Sequence, residues 1–207
     1  MEITKLIKIL NKRYKIKPWK EKPFKVLIAT ILSQRTKDEI TRSACRRLFK
    51  VADTPEKILK LSEKQIIRLI YPAGFYRQKA KKVKKLCKIL LRKFRGRVPS
   101  SREELLKLPG VGYKTADVVL SVGFGSPIIA IDVHCNVIAK RLGIADKNDD
   151  VETVREKLNK KIPEKFRLIT NLLFVEFGKD ICRTAKPRCK ICPIRNFCKY
   201  GASKSKS

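Results

Sequence analysis

The sequence predicts an all-α protein. Apolar residues recur at helical spacing in one segment after another, and Ser, Thr or Asp followed by acidic residues marks repeated helix starts. No stretch shows the sustained alternation of apolar and polar residues that is typical of β-strands. The chain has 207 residues, of which 43% are hydrophobic. That is enough to bury a core, either as one large domain or as two small ones.

The chain is strongly basic. Its 51 Lys and Arg outnumber 19 Asp and Glu, for a formal net charge of +32 and a pI of about 10.2. Such an excess indicates a polyanionic partner, either a nucleic acid or an acidic membrane surface. No apolar run approaches the length of a membrane span, and the N-terminus has no signal-peptide core. We therefore expect a cytoplasmic protein that does not enter a membrane.

The first half of the chain contains six segments with helical signals. The run from Phe24 to Leu32 is almost wholly apolar, which favours a buried helix, although a buried strand gives the same pattern. Thr54 before Pro55 predicts one helix start, and Ser62 with Gln65 predicts another through a capping box. The predicted segments are one within the first ten residues, 24–32, 38–50, one from Pro55, 62–70 and 78–94.

Two short stretches between these helices attract attention. The buried helix ends in a polar cluster, Ser33 to Asp38, which is also what a solvated helix terminus looks like. Phe75 and Tyr76 follow Gly74 and precede a run of cations. An apolar wedge on a basic surface can enter a base stack, but an aromatic pair can equally be part of a core.

The second half contains further helices on either side of a linker at Ser126-Pro127. They are predicted over 101–108, 113–122, 133–142, 151–158 and 166–177. Asp150 is expected to begin one of them. Gly143 and Gly178 are expected to end two others, since glycine is common just past helix ends.

A glycine turn joins the helices at 101–108 and 113–122. Pro109, Gly110 and Gly112 predict a tight hairpin, and the free amides at the following helix start would point into it. Amides at a helix N-terminus bind phosphate, and glycines let a nucleic-acid backbone approach. The alternative is a helix-turn-helix corner that binds nothing.

Lys114 and Asp132 are the candidate reactive groups. Lys114 lies in the first turn after the hairpin, where a partly neutral amine can attack an electrophilic sugar carbon. In a chain so rich in lysine it can also be a solvated charge. Asp132 precedes an apolar helix and would serve as an ordinary N-cap. The one histidine, His134, can line a pocket or pack in the core.

Four cysteines near the C-terminus have the spacing of metal ligands. Cys182, Cys189, Cys192 and Cys198 are separated by six, two and five residues. Disulfides are not expected in a cytoplasmic chain, whereas thiolates bind zinc or an iron-sulfur cluster. The spacing by itself favours zinc.

These motifs together resemble one known family. Leu108-Pro-Gly-Val-Gly-x-Lys-Thr-Ala followed by Ile131-Asp132-x-His resembles the endonuclease III branch of the helix-hairpin-helix DNA glycosylases, and the resemblance runs nearly end to end. It implies Lys114 as nucleophile, Asp132 as its partner and a 4Fe-4S cluster on the four cysteines. It also implies DNA contacts at two base-stack loops, at the hairpin and beside the cluster: Gln34, Arg35, Phe75, Leu108, Gly110, Val111, Gly112, Arg183, Lys186 and Arg188. Where many relatives insert a glutamine, the direct register has Arg35 here, with Gln34 beside it.

The resemblance also implies an architecture. A six-helix domain would cover 22–125, with the helix-hairpin-helix at about 101–121, and an iron-sulfur domain would combine 1–21 with 126–207. The duplex would lie in a basic cleft between these two lobes.

The implied activity is that of a monomeric base excision repair enzyme acting on double-stranded DNA with damaged bases or abasic sites, and associated with the nucleoid. It would remove oxidised pyrimidines through a lysine Schiff base and nick abasic sites by β-elimination. Two alternatives remain open. One is a monofunctional mismatch glycosylase, although such relatives lack a lysine at this position. The other is a non-catalytic DNA-binding module with a four-cysteine zinc site.

Overall fold

The structure is a computed structural model that describes residues 3–203. All regular structure within these residues is helical, which confirms the predicted fold class. The chain divides into two compact units. The first unit contains residues 20–125, and the second combines the described residues up to Trp19 with those from Ser126 onward.

Twelve α-helices follow one another along the described part of the chain. They are α1 (Ile3–Tyr14), α2 (Pro23–Ser33), α3 (Asp38–Val51), α4 (Pro55–Lys60), α5 (Glu63–Ile70), α6 (Tyr76–Phe94), α7 (Arg102–Leu106), α8 (Tyr113–Val118), α9 (Val133–Leu142), α10 (Val151–Lys161), α11 (Glu164–Asp180) and α12 (Lys199–Ser203). A π-helical segment, Val119–Gly123, continues α8, and two 3₁₀ turns, Cys189–Ile191 and Arg195–Phe197, precede α12. Among residues 3–203, no helix combines the length and the apolar character that crossing a membrane requires.

Helix α2 forms the centre of the 20–125 unit. It begins with Pro23 in its first turn, where the missing N–H costs nothing. It packs against α3, α6, α8 and the π-helical segment. Leu27, Ile28 and Ile31 are completely buried. The helical interpretation of this apolar run is therefore correct, and the strand alternative is excluded.

The 20–125 unit, which is described throughout, has seven α-helices rather than the six that the resemblance implied. The short helices α4 and α5 are separate because Ser62 begins a new one. Its hydroxyl accepts the Gln65 N–H at 3.2 Å, and the Gln65 side chain accepts the Ser62 N–H at 2.8 Å. This is the predicted capping box, and it stops α4 from continuing.

Helices α1, α9 and α11 build the core of the second unit. Leu6, Ile138 and Phe174 are almost or completely buried there. Helix α1 packs on α11, while α10 and α12 pack on α9. Asp150 caps α10 as predicted, because its carboxylate accepts the Thr153 N–H at 2.8 Å.

The prediction that Gly178 ends a helix is wrong. Helix α11 continues to Asp180, and Gly178 is buried within it. A Cβ at this position would lie 2.3 Å from Nδ1 of His134. Gly178 is therefore a packing residue that makes room for the imidazole of His134 against the backbone of α11.

Candidate active site and metal centre

The glycine hairpin between α7 and α8 is a tight, anchored turn. Gly110 has φ of 84°, and the Val111 N–H donates to the Leu108 carbonyl at 3.2 Å. The side chains of Leu108 and Val111 are buried and fix the turn to the unit. Gly112 is extended rather than left-handed, with φ of −106°, and a Cβ there would meet nothing within 4 Å. The turn thus leaves open space beside the first turn of α8, a helix without a side-chain cap.

A buried ion pair braces the two helices of the hairpin. The Arg102 guanidinium donates to Asp117 at 2.8 and 3.2 Å, and the Asp117 side chain is only 2% exposed. The same guanidinium lies 4.7 Å from the ring centroid of Tyr113. Arg102 at the start of α7 thus contacts both Tyr113 and Asp117 of α8. These contacts fix the two helices of the hairpin to each other.

Lys114 lies in the first turn of α8, and its side chain is exposed. Asp132 is half-buried and is the N-cap of α9, where its Oδ1 accepts the Cys135 N–H at 2.8 Å. The cap was predicted, and it fixes the orientation of the carboxylate. Lys114 belongs to the 20–125 unit and Asp132 to the second unit. Their pairing in catalysis stays a prediction.

Arg35 and Phe75 come together at the surface of the 20–125 unit. Phe75 is 53% exposed, and the Arg35 guanidinium lies 5.5 Å from its ring centroid. The neighbouring Gln34 side chain points toward the glycine hairpin instead. Its Nε2 donates to the Gly110 carbonyl at 2.9 Å, so Gln34 ties this loop to the hairpin.

Sequence reasoning missed two residues beneath this pair. Lys79 is buried, and its ammonium group donates to oxygen atoms of Leu32, Gln34 and Thr36. The hydroxyl of Thr36 is the second missed group. Lys79 belongs to the run of cations that follows Phe75 and Tyr76 in the sequence. Within a run of exposed lysines, nothing in the sequence marked it as a buried one.

The four C-terminal cysteines line one cavity in the second unit. Within residues 3–203, no three Cys, His, Asp or Glu side chains converge in metal-ligating geometry. Burial raises the pKa of the Cys192 thiol to about 11 and also raises the pKa of Cys182. A bound metal would have to supply the positive charge that removes these protons.

The surroundings of the cavity suit thiolate ligands. Nη1 of Arg141 lies 3.3 Å from Sγ of Cys182, and the Gly201 N–H donates to Sγ of Cys198 at 3.3 Å. Arg141 also donates to the carbonyl oxygens of Cys182, Arg183 and Thr184. Donors of this kind stabilise metal-bound sulfur. In chemical type, though not in the convergence of their sulfur atoms, the four cysteines that line the cavity therefore suit a metal group held by thiolates.

The loop that follows Cys182 carries exposed cations. It is closed by a hydrogen bond of 2.9 Å from the Arg188 N–H to the Ile181 carbonyl. The side chains of Arg183, Lys186 and Arg188 are all exposed on it. They are thus available to an anionic partner, and their contact with DNA stays a prediction.

Comparison with known proteins shows the class of protein to which this chain belongs. The family model for base excision DNA repair proteins of the HhH-GPD superfamily matches residues 28–164. Endonuclease III of Thermotoga maritima is 43% identical over 198 residues, covering 96% of this chain and 92% of that protein. Endonuclease III of Escherichia coli is 39% identical over 178 residues, covering 86% and 84% of the two chains.

Comparison with solved structures supports the same class. A trapped covalent intermediate of an endonuclease III with DNA superposes with a TM-score of 0.85 at 36% identity, covering 98% of this chain and 97% of that one. A thermostable thymine-DNA glycosylase gives a TM-score of 0.87 over 97% of this chain and 96% of that one, at 24% identity, and so shares the fold. The chain therefore belongs to the endonuclease III family of helix-hairpin-helix DNA glycosylases.

Proposed function

We infer that this protein is a base excision repair DNA glycosylase and abasic-site lyase, and we propose oxidised pyrimidines as its substrates. The observation that carries the inference is Lys114, an exposed amine in the first turn of α8, directly after an anchored glycine hairpin. The similarity to an endonuclease III trapped covalently on DNA supports a covalent mechanism. Because the substrate is DNA, we propose the nucleoid as the place of action.

Binding would begin at the hairpin. Phosphate groups are acceptors for the backbone amides at the start of α8, and the open space at Gly112 permits close approach. The base must then leave the stack, because a duplex hides the sugar carbon that reacts. Phe75 and Arg35 are proposed to enter the stack at that moment, while Gln34 stays bonded to the hairpin.

Lys114 is proposed to attack C1′ of the extruded nucleotide. The new C–N bond forms as the bond from C1′ to the base breaks, and the base leaves with the electron pair and takes up a proton. The nitrogen then loses a proton, and its lone pair forms the C1′=N bond of a Schiff base as the C1′–O4′ bond breaks and O4′ takes up a proton. Removal of a C2′ proton then expels the 3′ phosphate by β-elimination, and water releases the enzyme. A single lysine thus accounts for both activities.

Asp132 is proposed to stabilise the positive charge that develops on the sugar or to take up a proton. Its carboxylate is already oriented by the Cys135 amide, so little reorganisation would be needed. In this proposal, Asp132 would be both a helix cap and a participant in catalysis.

We propose a 4Fe-4S cluster as the group held by Cys182, Cys189, Cys192 and Cys198. When bound, it would cross-link residues 182–198 into one rigid loop. That loop would present Arg183, Lys186 and Arg188 to phosphates with little loss of conformational entropy. Arg141 would hold the first part of the loop through its bonds to three successive carbonyl groups.

The test is an assay of base release and strand cleavage on a duplex with one oxidised pyrimidine. The native protein should release the base and nick the strand, and Lys114→Ala should do neither while still binding. Lys107→Ala is the matched control, because Lys107 is an exposed lysine of the same hairpin segment. It should weaken binding by about one phosphate contact without abolishing cleavage.

Two outcomes would contradict the inference. Base release by the native protein without strand cleavage would indicate a monofunctional glycosylase. Tight duplex binding with no base release from any oxidised or mismatched base would indicate a binding module.

A further inference from the structure

The buried ammonium group of Lys79 has a complete set of partners. Lys79 lies in the first turn of α6 and is only 4% exposed. Its Nζ donates to the Leu32 carbonyl at 2.7 Å, the Gln34 carbonyl at 2.6 Å and the Thr36 hydroxyl at 2.8 Å. An ammonium group has three N–H donors, so each one is used. The first bond holds the last turn of α2, and the other two fix the segment that follows it.

The Thr36 hydroxyl carries these contacts to a second segment. Besides the bond from Lys79, it accepts the Gly74 N–H at 3.0 Å and donates to the Gln34 carbonyl at 3.2 Å. The two backbones also touch, since a Cβ on Gly74 would lie 2.3 Å from the Arg35 carbonyl oxygen. These contacts therefore hold residues 33–37 against the turn before α6. We call the three residues that make them, Lys79, Thr36 and Gly74, the clip.

The clip supports two residues in an unusual backbone conformation. Arg35 and Phe75 both have positive φ, 50° and 56°, although neither is glycine. Such conformations cost free energy and persist where the surroundings impose them. Each of the two lies directly beside a residue of the clip. The guanidinium of Arg35 and the ring of Phe75 are thereby held 5.5 Å apart at the surface.

Burying a lysine at this position costs free energy. None of its three partners is a carboxylate, so no opposite charge offsets its desolvation. Burial, with Lys82 nearby, lowers the pKa of Lys79 to about 8. An apolar side chain of similar length would fill the same space without this cost. It would remove the donor of the Leu32 carbonyl, and it would leave the Gln34 carbonyl with only the Thr36 hydroxyl and the Thr36 hydroxyl with only the Gly74 N–H as donors.

We propose that Lys79 is a positioning residue for base extrusion: with Thr36 it locks Arg35 and Phe75 into a single preformed wedge. This rests on the proposed function, in which these two side chains enter the base stack. If the wedge were loose, part of the interaction energy with DNA would be used to order it, and extrusion would slow. Chemistry at a sugar that needs no extrusion would not be affected.

The test compares two substrates under single-turnover conditions with saturating enzyme. One is a duplex with an oxidised pyrimidine, and the other is a single-stranded oligonucleotide with a preformed abasic site, which has no stack to enter. For Lys79→Met and Thr36→Val, cleavage of the duplex should fall about tenfold or more, because extrusion itself costs a few kcal/mol. Cleavage of the single strand should stay within about twofold of native.

Matched controls separate positioning from general damage. Lys84→Met removes another lysine of α6 that donates to a backbone carbonyl, that of Leu61 at 2.6 Å, and should leave both rates unchanged. Thr36→Ser keeps the hydroxyl and should retain the native duplex rate.

Equal losses on both substrates would overturn the proposal, as would an unchanged duplex rate in Lys79→Met. A native protein that cleaves neither substrate would instead reject the proposed function on which it rests.

Discussion

Lys79 illustrates how one residue can act against stability in the structure it organises. Its pKa is lowered from the ordinary 10.5 to about 8, first by burial and then by Lys82. Between these two values, the unfolded chain binds more protons at this position than the folded chain does. The free energy of unfolding must therefore rise with pH across that window, as far as this group is concerned.

A pH series of urea unfolding tests this consequence. The difference in unfolding free energy between native protein and Lys79→Met should be constant below pH 8 and should grow in favour of the native protein up to pH 10.5. Other titrating groups cancel in the difference, because both proteins contain them. A flat or falling difference would mean that the pKa of Lys79 is not lowered.

At the scale of the helices, the hairpin depends on a buried ion pair whose disruption is strongly destabilising. Arg102 and Asp117 join α7 to α8, and their side chains are 17% and 2% exposed. Removing one partner of a buried pair leaves an uncompensated charge, which costs about 3 kcal/mol or more. Arg102→Met should lower the unfolding free energy by that amount. It should also weaken binding to undamaged duplex, since the hairpin loses its brace.

The control is an exposed pair in the same unit. Lys57 pairs with Asp53 at 2.8 Å, with side chains that are 57% and 31% exposed. Lys57→Met should change the unfolding free energy by no more than about 1 kcal/mol, because water replaces the lost partner. If the two variants were equally stable, the Arg102–Asp117 pair would not hold the hairpin.

Helix starts were predictable because their signals are local. Ser62 with Gln65, Thr54 before Pro55, and Asp150 all act within one turn of the chain, and each caps the helix expected of it. Gly178 was misread because its role depends on His134, a residue of another helix. The burial of Lys79 was not predictable either, because it too depends on residues that are distant in sequence. Its partners lie at the end of α2 and in the segment after it, and most of the basic residues near it in the sequence are exposed.

For the molecule as a whole, the segment 182–198 with its four cysteines shows the same limit of sequence reasoning. The four cysteines were identifiable from their spacing, and they line one cavity. Arg141, which holds that loop through Cys182, Arg183 and Thr184, was not, because it lies 41 residues before Cys182. Spacing reveals ligands that are close in sequence, but the residues that orient them come from elsewhere in the fold.

The metal content of the native protein and of cysteine variants tests the proposed cluster. Purified protein should be brown and contain about four iron and four sulfide per chain if the four cysteines hold the proposed cluster. Cys192→Ser should lose the visible absorbance and lower the thermal stability of the second unit, whereas Cys87→Ser, at a buried cysteine of the other unit, should keep the iron. Zinc in place of iron in a colourless native protein would contradict the assignment.

The central claim is that Lys114 forms a Schiff base with DNA, and borohydride trapping tests it most directly. Native protein, Lys114→Ala and Lys107→Ala are incubated with an oxidised-pyrimidine duplex and reduced. A covalent protein–DNA band is expected from the native protein and from Lys107→Ala, and none from Lys114→Ala. A band of native intensity from Lys114→Ala, or no band from a folded native protein that binds the duplex, would contradict the claim.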